Sequence, residues 1–341
     1  LLEIKDLNKT FDNKEILKNI NLSISRGKII GLLGKNGAGK TTLIKMISGT
    51  EEPDNGDIFL DGTSIITNKS YLYQNIGLCQ QDDILFSYLT VEEHLEYMME
   101  LKGSKSDQRQ INVFINNIDL ASKKDTMCKN LSGGEKRKLC IAIALIGNSQ
   151  LVLLDEPTSG MDVIAKRKLW TFLKEFKNDK IIILTTHSLD EAEYLGDRIG
   201  IMSGGQFICS GTSSFLKSKY PCGFNLNFLV NSEIFDNSHK RELYKKLAKY
   251  QPNLEVKISS KGLFSVNIDS NNKNIKDIFN VIEECKEEYG IEDYTVSSTT
   301  LEDVFLKLNH KINIGEENQD INNDEILRSE ERRVGKECRS R

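Results

Sequence analysis

One stretch constrains this chain more than any other: Gly34-Lys35-Asn36-Gly37-Ala38-Gly39-Lys40-Thr41. It follows the apolar run Ile29–Leu33 and fits G-x-x-x-x-G-K-[ST], which predicts a strand, a tight loop and a helix in that order. Glycines let such a loop curl until its N–H groups converge, and the following helix N-terminus adds its dipole at the same point. The resulting nest suits the phosphates of a nucleotide. Lys40 is placed to reach the outer phosphates, and the Thr41 hydroxyl to reach a divalent cation beside them.

Two more runs, Leu151–Leu154 and Ile181–Leu184, are apolar at every position and flanked by helical patterns. Strands buried on both faces read this way, so residues 1–220 are expected to form an α/β domain around a parallel sheet. Ile58–Leu60 before Asp61-Gly62 reads as a strand entering a turn. Thr90 and Glu93 form a capping box ahead of a helical stretch that reaches Asn130.

Ligands of open α/β sheets sit at the carboxyl ends of the strands. Asp155 and Glu156 end the second run, so Asp155 is a candidate for holding Mg²⁺ and Glu156 for orienting or deprotonating an attacking water. The bland alternative is a pair of exposed loop acids. His187 follows the third run and is a candidate γ-phosphate contact, whereas His94, His239 and His310 read as structural or solvated. Leu131-Ser132-Gly133-Gly134-Glu135 precedes a helix carrying Leu139, Ile143 and Ile146. Taken alone, Ser132 with its two glycines is an N-cap and a flexible entry.

Pro221-Cys222-Gly223 marks a break. Beyond it, residues 224–309 read as strand, helix, two strands, helix and strand, a βαββαβ order that fits a small split-βαβ domain. Its helices carry Leu243, Leu247 and Tyr250, then Ile275, Ile278, Ile282 and Cys285, and Thr299 with Glu302 is expected to cap a closing helix. Residues 310–341 lack periodicity and are expected to be disordered. Arg328–Arg341 resembles a run appended from adapter or vector sequence and is set aside from functional reasoning.

The formal net charge of −4 offers no footprint for nucleic acid, so no nucleic-acid partner is expected. Seven scattered cysteines without a C-x-x-C pair read as reduced thiols of a cytosolic compartment. No apolar run approaches the roughly 18–20 residues that span a bilayer. The chain opens on Leu1 rather than Met, so it is expected to be a piece of something longer, with membrane contact through a partner or that remainder.

The phosphate loop, Ser132-Gly133-Gly134, Asp155-Glu156 and His187, in that order and spacing, together resemble the nucleotide-binding domain of ABC transporters over essentially all of residues 1–220. The resemblance implies a P-loop NTPase cassette: a mostly parallel sheet with antiparallel β and α-helical subdomains, followed here by a ferredoxin-like α+β domain. It implies ATP and Mg²⁺ as ligands. By the same likeness ATP contacts fall to Phe11, Gly34, Asn36, Gly37, Ala38, Gly39, Lys40, Thr41, Thr42 and Gln81, and metal contacts to Thr41, Gln81 and Asp155. Catalysis falls to Glu156 and His187 with Lys40. Phe11 would stack on adenine, a core phenylalanine being the alternative, and Gln80 beside Gln81 leaves the glutamine register open.

In this family ATP is sandwiched between two cassettes, so Ser132, Gly133 and Gly134 would contact the nucleotide held by a second nucleotide-binding domain, in cis or in trans. Transmembrane domains of the transporter would be the other partner, and the cytosolic face of a membrane the location. Glu135 departs from the usual glutamine and puts a negative charge near that shared site. The stretches 77–86, 134–139 and 196–199, with 294–306, are similar to the A subfamily, whose members mostly move lipids, and to the end of its regulatory domain. That small domain either stabilises one dimer state or is a passive spacer. The rival reading is a soluble ABC ATPase acting on ribosomes or DNA.

Overall fold

The computed structural model describes residues 1–105, 107–220, 223–230, 237–250, 255–259, 263–268, 275–286 and 289–313. They divide into two compact units, with the boundary between Ser213 and Ser214. The tail from 314 onward, including Arg328–Arg341, lies outside the described residues, as do Cys222, Cys338 and Leu254.

The first unit opens with a hairpin. Strands β1 (Leu2–Phe11) and β2 (Lys14–Ile24) pair antiparallel across Asp12 and Asn13, which take φ of 48° and 62°. Short polar residues tolerate that left-handed region, which tight hairpin turns require. The chain then alternates strand and helix: β3 (Lys28–Leu33), α1 (Lys40–Ile47), the antiparallel pair β4 (Asn55–Leu60) and β5 (Thr63–Ser64), α2 (Lys69–Asn75) and β6 (Ile76–Cys79). A helical stretch follows, with α3 (Val91–Leu101), α4 (Gln108–Asn117) and α5 (Gly133–Leu145). Strand β7 (Leu151–Asp155), α6 (Val163–Phe176), β8 (Ile181–Thr186), α7 (Leu189–Leu195), β9 (Arg198–Ser203) and β10 (Gln206–Gly211) complete the run, and α8 (Ser213–Lys219) begins at the boundary and belongs mostly to the second unit.

Two sheets result. One is antiparallel, in the order β2-β1-β4-β5. The other has the order β10-β9-β3-β8-β7-β6 and is parallel except for β10. The apolar runs behave as strands buried on both faces, because consecutive residues enter different cores. Ile30, Leu32, Leu151, Leu153, Ile181 and Ile183 join the core shared with α1 and the antiparallel sheet. Ile29, Val152, Leu154, Ile182 and Leu184 join the core shared with α3 to α6. Each such side chain contributes about 1.5–3 kcal/mol by leaving water.

The expected capping box is present: Glu93 N–H donates to Thr90 Oγ1 at 3.2 Å and Thr90 N–H to Glu93 Oε2 at 2.7 Å. His94, one turn later, is 2% exposed; Phe86 N–H donates to its Nε2 at 2.9 Å, and burial holds its pKa below the ordinary value. It is a structural histidine. Five of the seven cysteines, Cys79, Cys128, Cys140, Cys209 and Cys285, are buried and outside any disulfide. Among the described residues no helix is long and apolar enough to cross a membrane.

The second unit runs β11 (Phe224–Val230), α9 (Asn237–Ala248), β12 (Glu255–Ser259), β13 (Leu263–Ile268), α10 (Ile275–Cys285), β14 (Ile291–Ser298) and α11 (Leu301–Asn313). Its sheet has the order β12-β13-β11-β14, antiparallel throughout. Leu226, Phe228 and Val266 pack with Leu243, Leu247, Ile278 and Ile282 in a core of its own. The closing helix is capped one residue later than expected. Thr300, not Thr299, accepts from Asp303 N–H at 3.2 Å, and Asp303 accepts from Thr300 N–H at 2.9 Å. Thr299 instead donates to Gly223 O at 2.9 Å, a tertiary contact that settles the register.

Candidate nucleotide-binding site

An open cavity of about 1480 Å³ lies at the carboxyl end of β3, where the loop Gly34–Gly39 turns into α1. The loop is shaped by sterics. Gly37 and Gly39 take φ of 79° and 99°, and a Cβ on Gly39 would sit 2.6 Å from Leu17 Cδ2. A Cβ on Gly34 would sit 2.5 Å from Met202 O. Glycine is the residue that fits these places.

Helix α1 begins without a side-chain cap, whereas Asn68, Thr90, Asp107, Ser132, Asp162 and Ser188 each cap the helices α2 to α7. The first N–H groups of a helix need partners, so these amides remain available to an anion in the cavity. Lys40 is 6% exposed, and its Nζ donates to Gly34 O at 2.7 Å and Lys35 O at 3.1 Å. Burial pulls its pKa below the ordinary lysine value, while the fields of Glu156 and Asp155 oppose that shift. A buried cation held by neutral carbonyls is poised for a negatively charged ligand.

The carboxylates reach the same point from β7. Asp155 is 3% exposed and lies beneath Thr41, whose Oγ1 is 3.3 Å from Asp155 Oδ1; Thr185 Oγ1 donates to the same carboxylate oxygen. Thr185 Oγ1 in turn accepts the Glu156 N–H at 2.9 Å, which ties the turn after β7 to β8. Glu156 adopts φ 48°, unusual for a residue with a long side chain, and Glu156 Oε1 stands 3.4 Å from His187 Nδ1. The His187 side chain is 63% exposed, at the open side.

Of the residues singled out from sequence, Phe11, Asn36, Gly37, Ala38, Gly39, Lys40, Thr41, Thr42, Gln81, Glu156 and His187 all line this cavity. Phe11 is 39% exposed and outside both cores, with Lys9 Nζ 5.0 Å from the centre of its ring. Gln81 rather than Gln80 lines the wall. Gly34 and Asp155 lie behind the lining. Ser132, Gly133 and Gly134 lie apart from it, at the start of α5.

Glu135 is turned back onto its own helix. Its Oε2 accepts from Ser132 N–H at 2.8 Å, and Glu135 N–H donates to Ser132 Oγ at 3.3 Å. That hydrogen bond holds its carboxyl below the usual pKa. The charge expected near a shared site is thus partly consumed in a capping box.

Sequence reasoning missed part of the wall. Asn13, Lys14, Glu15, Ile16 and Lys18 come from the first hairpin, and Gly204-Gly205 from the turn between β9 and β10. They arrive by tertiary packing: Lys18 N–H donates to Gly205 O at 2.9 Å, and a Cβ on Gly205 would meet Ile16 O at 2.3 Å. No local motif announces them.

Main-chain N–H groups around one buried lysine, faced by two strand-end carboxylates, define the P-loop nucleotide-binding class. Residues 17–159 match the ABC transporter family model. Over 98% of this chain it is 36% identical to "Phospholipid-transporting ATPase ABCA3" of Homo sapiens, and over 96% it is 38% identical to "ABC transporter A family member 5" of Dictyostelium discoideum. It spans 20% of the length of either relative. Among solved structures, an ATP-binding subunit of an ABC transporter superposes with a TM-score of 0.60 at 29% identity, covering 64% of this chain and 93% of that one. A dimeric, post-hydrolysis ATP-binding cassette bound to ADP and Pi gives 0.57 at 26%, covering 62% and 98%. Residues 17–159 are thus an ABC transporter ATP-binding domain, and almost the whole chain is similar to A-subfamily members.

Proposed function

We propose that this cassette binds ATP on the loop Gly34–Thr41 and hydrolyses it with Glu156 as the base. The observation that carries the reading is the uncapped start of α1 opening beside buried Lys40. Phosphate oxygens would take the free amides of α1 and draw Lys40 Nζ from the two carbonyls it now contacts. Phe11, exposed at the hairpin end of the cavity, would stack on adenine. Glu156 accepts the proton of a water aligned with the γ-phosphate, and its fixed main chain keeps the carboxylate in place. His187 would touch the γ-phosphate from the open side while its Nδ1 stays near Glu156.

The donor set suits Mg²⁺. Among the described residues no cluster of three or more His, Cys, Asp or Glu side chains could hold a metal alone. One buried carboxylate and one hydroxyl, Asp155 and Thr41, match an ion that binds through few protein oxygens together with substrate phosphates. They would hold it with Gln81, and when bound it would neutralise charge on the phosphate oxygens.

Ser132, Gly133 and Gly134 are exposed or half-buried, and a Cβ on either glycine would meet nothing within 4 Å. This supports a role for them in the site of a second cassette, in cis or in trans, and the post-hydrolysis structural neighbour is itself dimeric. Residues 1–220 then form the cassette. Residues 224–309 form a ferredoxin-like regulatory domain, a reading supported by the βαββαβ order and the sheet order β12-β13-β11-β14. The likeness to a phospholipid-transporting ATPase favours lipid or other amphiphile transport, with this chain at the cytosolic face of a membrane beside transmembrane domains of the same transporter.

The test is Glu156→Gln. ATP affinity should stay unchanged while turnover falls about 10²–10⁴-fold, the range of a lost general base. Wild-type turnover in that variant would remove Glu156 from the mechanism.

A further inference from the structure

Arg137 is a buried charged residue of α5, 4% exposed in the second turn after Ser132-Gly133-Gly134. Its guanidinium faces six oxygens, more than its five N–H donors. Nε donates to Pro157 O at 3.1 Å. Nη2 donates to Asp155 O and to Glu156 O, the latter at 3.0 Å. Nη1 donates to Gln80 O, to Gln81 O at 3.1 Å and to Asp83 Oδ1 at 3.2 Å.

Five of these six acceptors are main-chain carbonyls, and they belong to just two segments. One is the Gln80-Gln81 stretch after β6; the other is the Asp155-Glu156-Pro157 turn after β7. Both carry residues that face the cavity, Gln81 and Glu156. The planar fork of an arginine can hold two segments at once, which a lysine with one nitrogen cannot. Asp83 supplies the single carboxylate, with its side chain 25% exposed. A buried cation serving mainly carbonyls is costly unless every donor is used, and here every nitrogen is.

We infer that Arg137 is a positioning residue: it holds the Gln81 loop and the Glu156 turn in one fixed relation to each other and to the helix that begins at Ser132. It is buried and does not line the cavity, and acts by fixing the main chain from which Gln81 and Glu156 project. The first turn of α5 is the element proposed to serve a second cassette. The same residue therefore ties the catalytic turn of one site to the element offered to the other. The inference rests on the hydrolysis reading.

The test compares the full chain with Arg137→Lys, Arg137→Met and Arg137→Ala, measuring steady-state turnover, affinity for trinitrophenyl-ATP and thermal unfolding. Affinity and KM should stay within about threefold, because the phosphate loop is untouched. The kcat should fall about 100-fold in both Arg137→Lys and Arg137→Met, as expected for a catalytic group displaced by about an ångström. Ethylguanidinium in the assay should restore part of the turnover of Arg137→Ala but none of that of Glu156→Gln. A wild-type kcat in Arg137→Lys would overturn the role, and so would a loss that follows the unfolded fraction and resists guanidinium. A wild-type chain that turns over no ATP would count against the hydrolysis reading instead.

Discussion

Two helices of the cassette begin with glycine and small polar residues, and they are built on opposite terms. At the start of α1 the chain itself demands glycine: Gly39 takes φ 99°, and a Cβ there would press on Leu17. At the start of α5 neither Gly133 nor Gly134 takes a positive φ, and a Cβ on either meets open space. The first helix lacks a side-chain cap and opens into a cavity; the second is closed by the reciprocal hydrogen bonds of Ser132 and Glu135. Internal structure thus accounts for the first pair of requirements and leaves the second unexplained. A residue type that the fold does not require, at an exposed helix start, points to something outside the chain.

The contrast can be broken at either end. Gly39→Ala should give the larger stability effect, because it combines a left-handed backbone with a clash; strain of this kind costs about 1–3 kcal/mol. Denaturant titration of the ligand-free chain checks it, and an undisturbed midpoint would mean that the loop relaxes freely. Nucleotide affinity should fall in the same variant, since the amides of α1 would be displaced.

A smaller effect sharpens the other end. The Glu135 carboxyl is held below its ordinary pKa by the Ser132 N–H, so its contribution is present above the unfolded value and is lost as pH falls through the lowered one. Glutamine also completes a capping box, so Glu135→Gln should change stability at neutral pH by less than about 0.5 kcal/mol. Below pH 4.5 the wild type should lose a few tenths of a kcal/mol, on the order expected for a solvent-screened group, that the variant keeps. Parallel melting temperatures from pH 7 to pH 3 would show instead that the cap carries no charge-dependent energy.

The parts of the fold legible in the sequence were those with local causes. Leu151–Leu154 and Ile181–Leu184 are apolar at every position because both faces are covered, and that pattern survives in a single strand's sequence. The phosphate loop was legible because its shape is set within eight residues. Thr90 with Glu93 was legible for the same reason. Thr299-Thr300 and Glu302-Asp303, by contrast, offer two equivalent capping registers, and the Thr299 contact to Gly223 decides between them. The far wall of the cavity was invisible because Ile16 and Gly205 meet it through tertiary approach. Arg137 sits in the basic run Lys136-Arg137-Lys138, which reads as a solvated face. Its spacing of three and four residues from Cys140 and Ile141 was the available signal that it points inward.

The most direct test of the central claim, that α5 presents its first turn to a nucleotide held elsewhere, is Gly134→Asp in the assembled full chain, with thermal unfolding and turnover measured together. The side chain would enter open space, and a carboxylate in the first turn of a helix is mildly stabilising, by about 0.3–1 kcal/mol. The melting temperature should therefore hold or rise and ATP binding to the loop Gly34–Thr41 should persist. Turnover should be lost, because the new charge would face phosphates. Unaltered turnover, or a fall in melting temperature large enough to account for the loss, would contradict it.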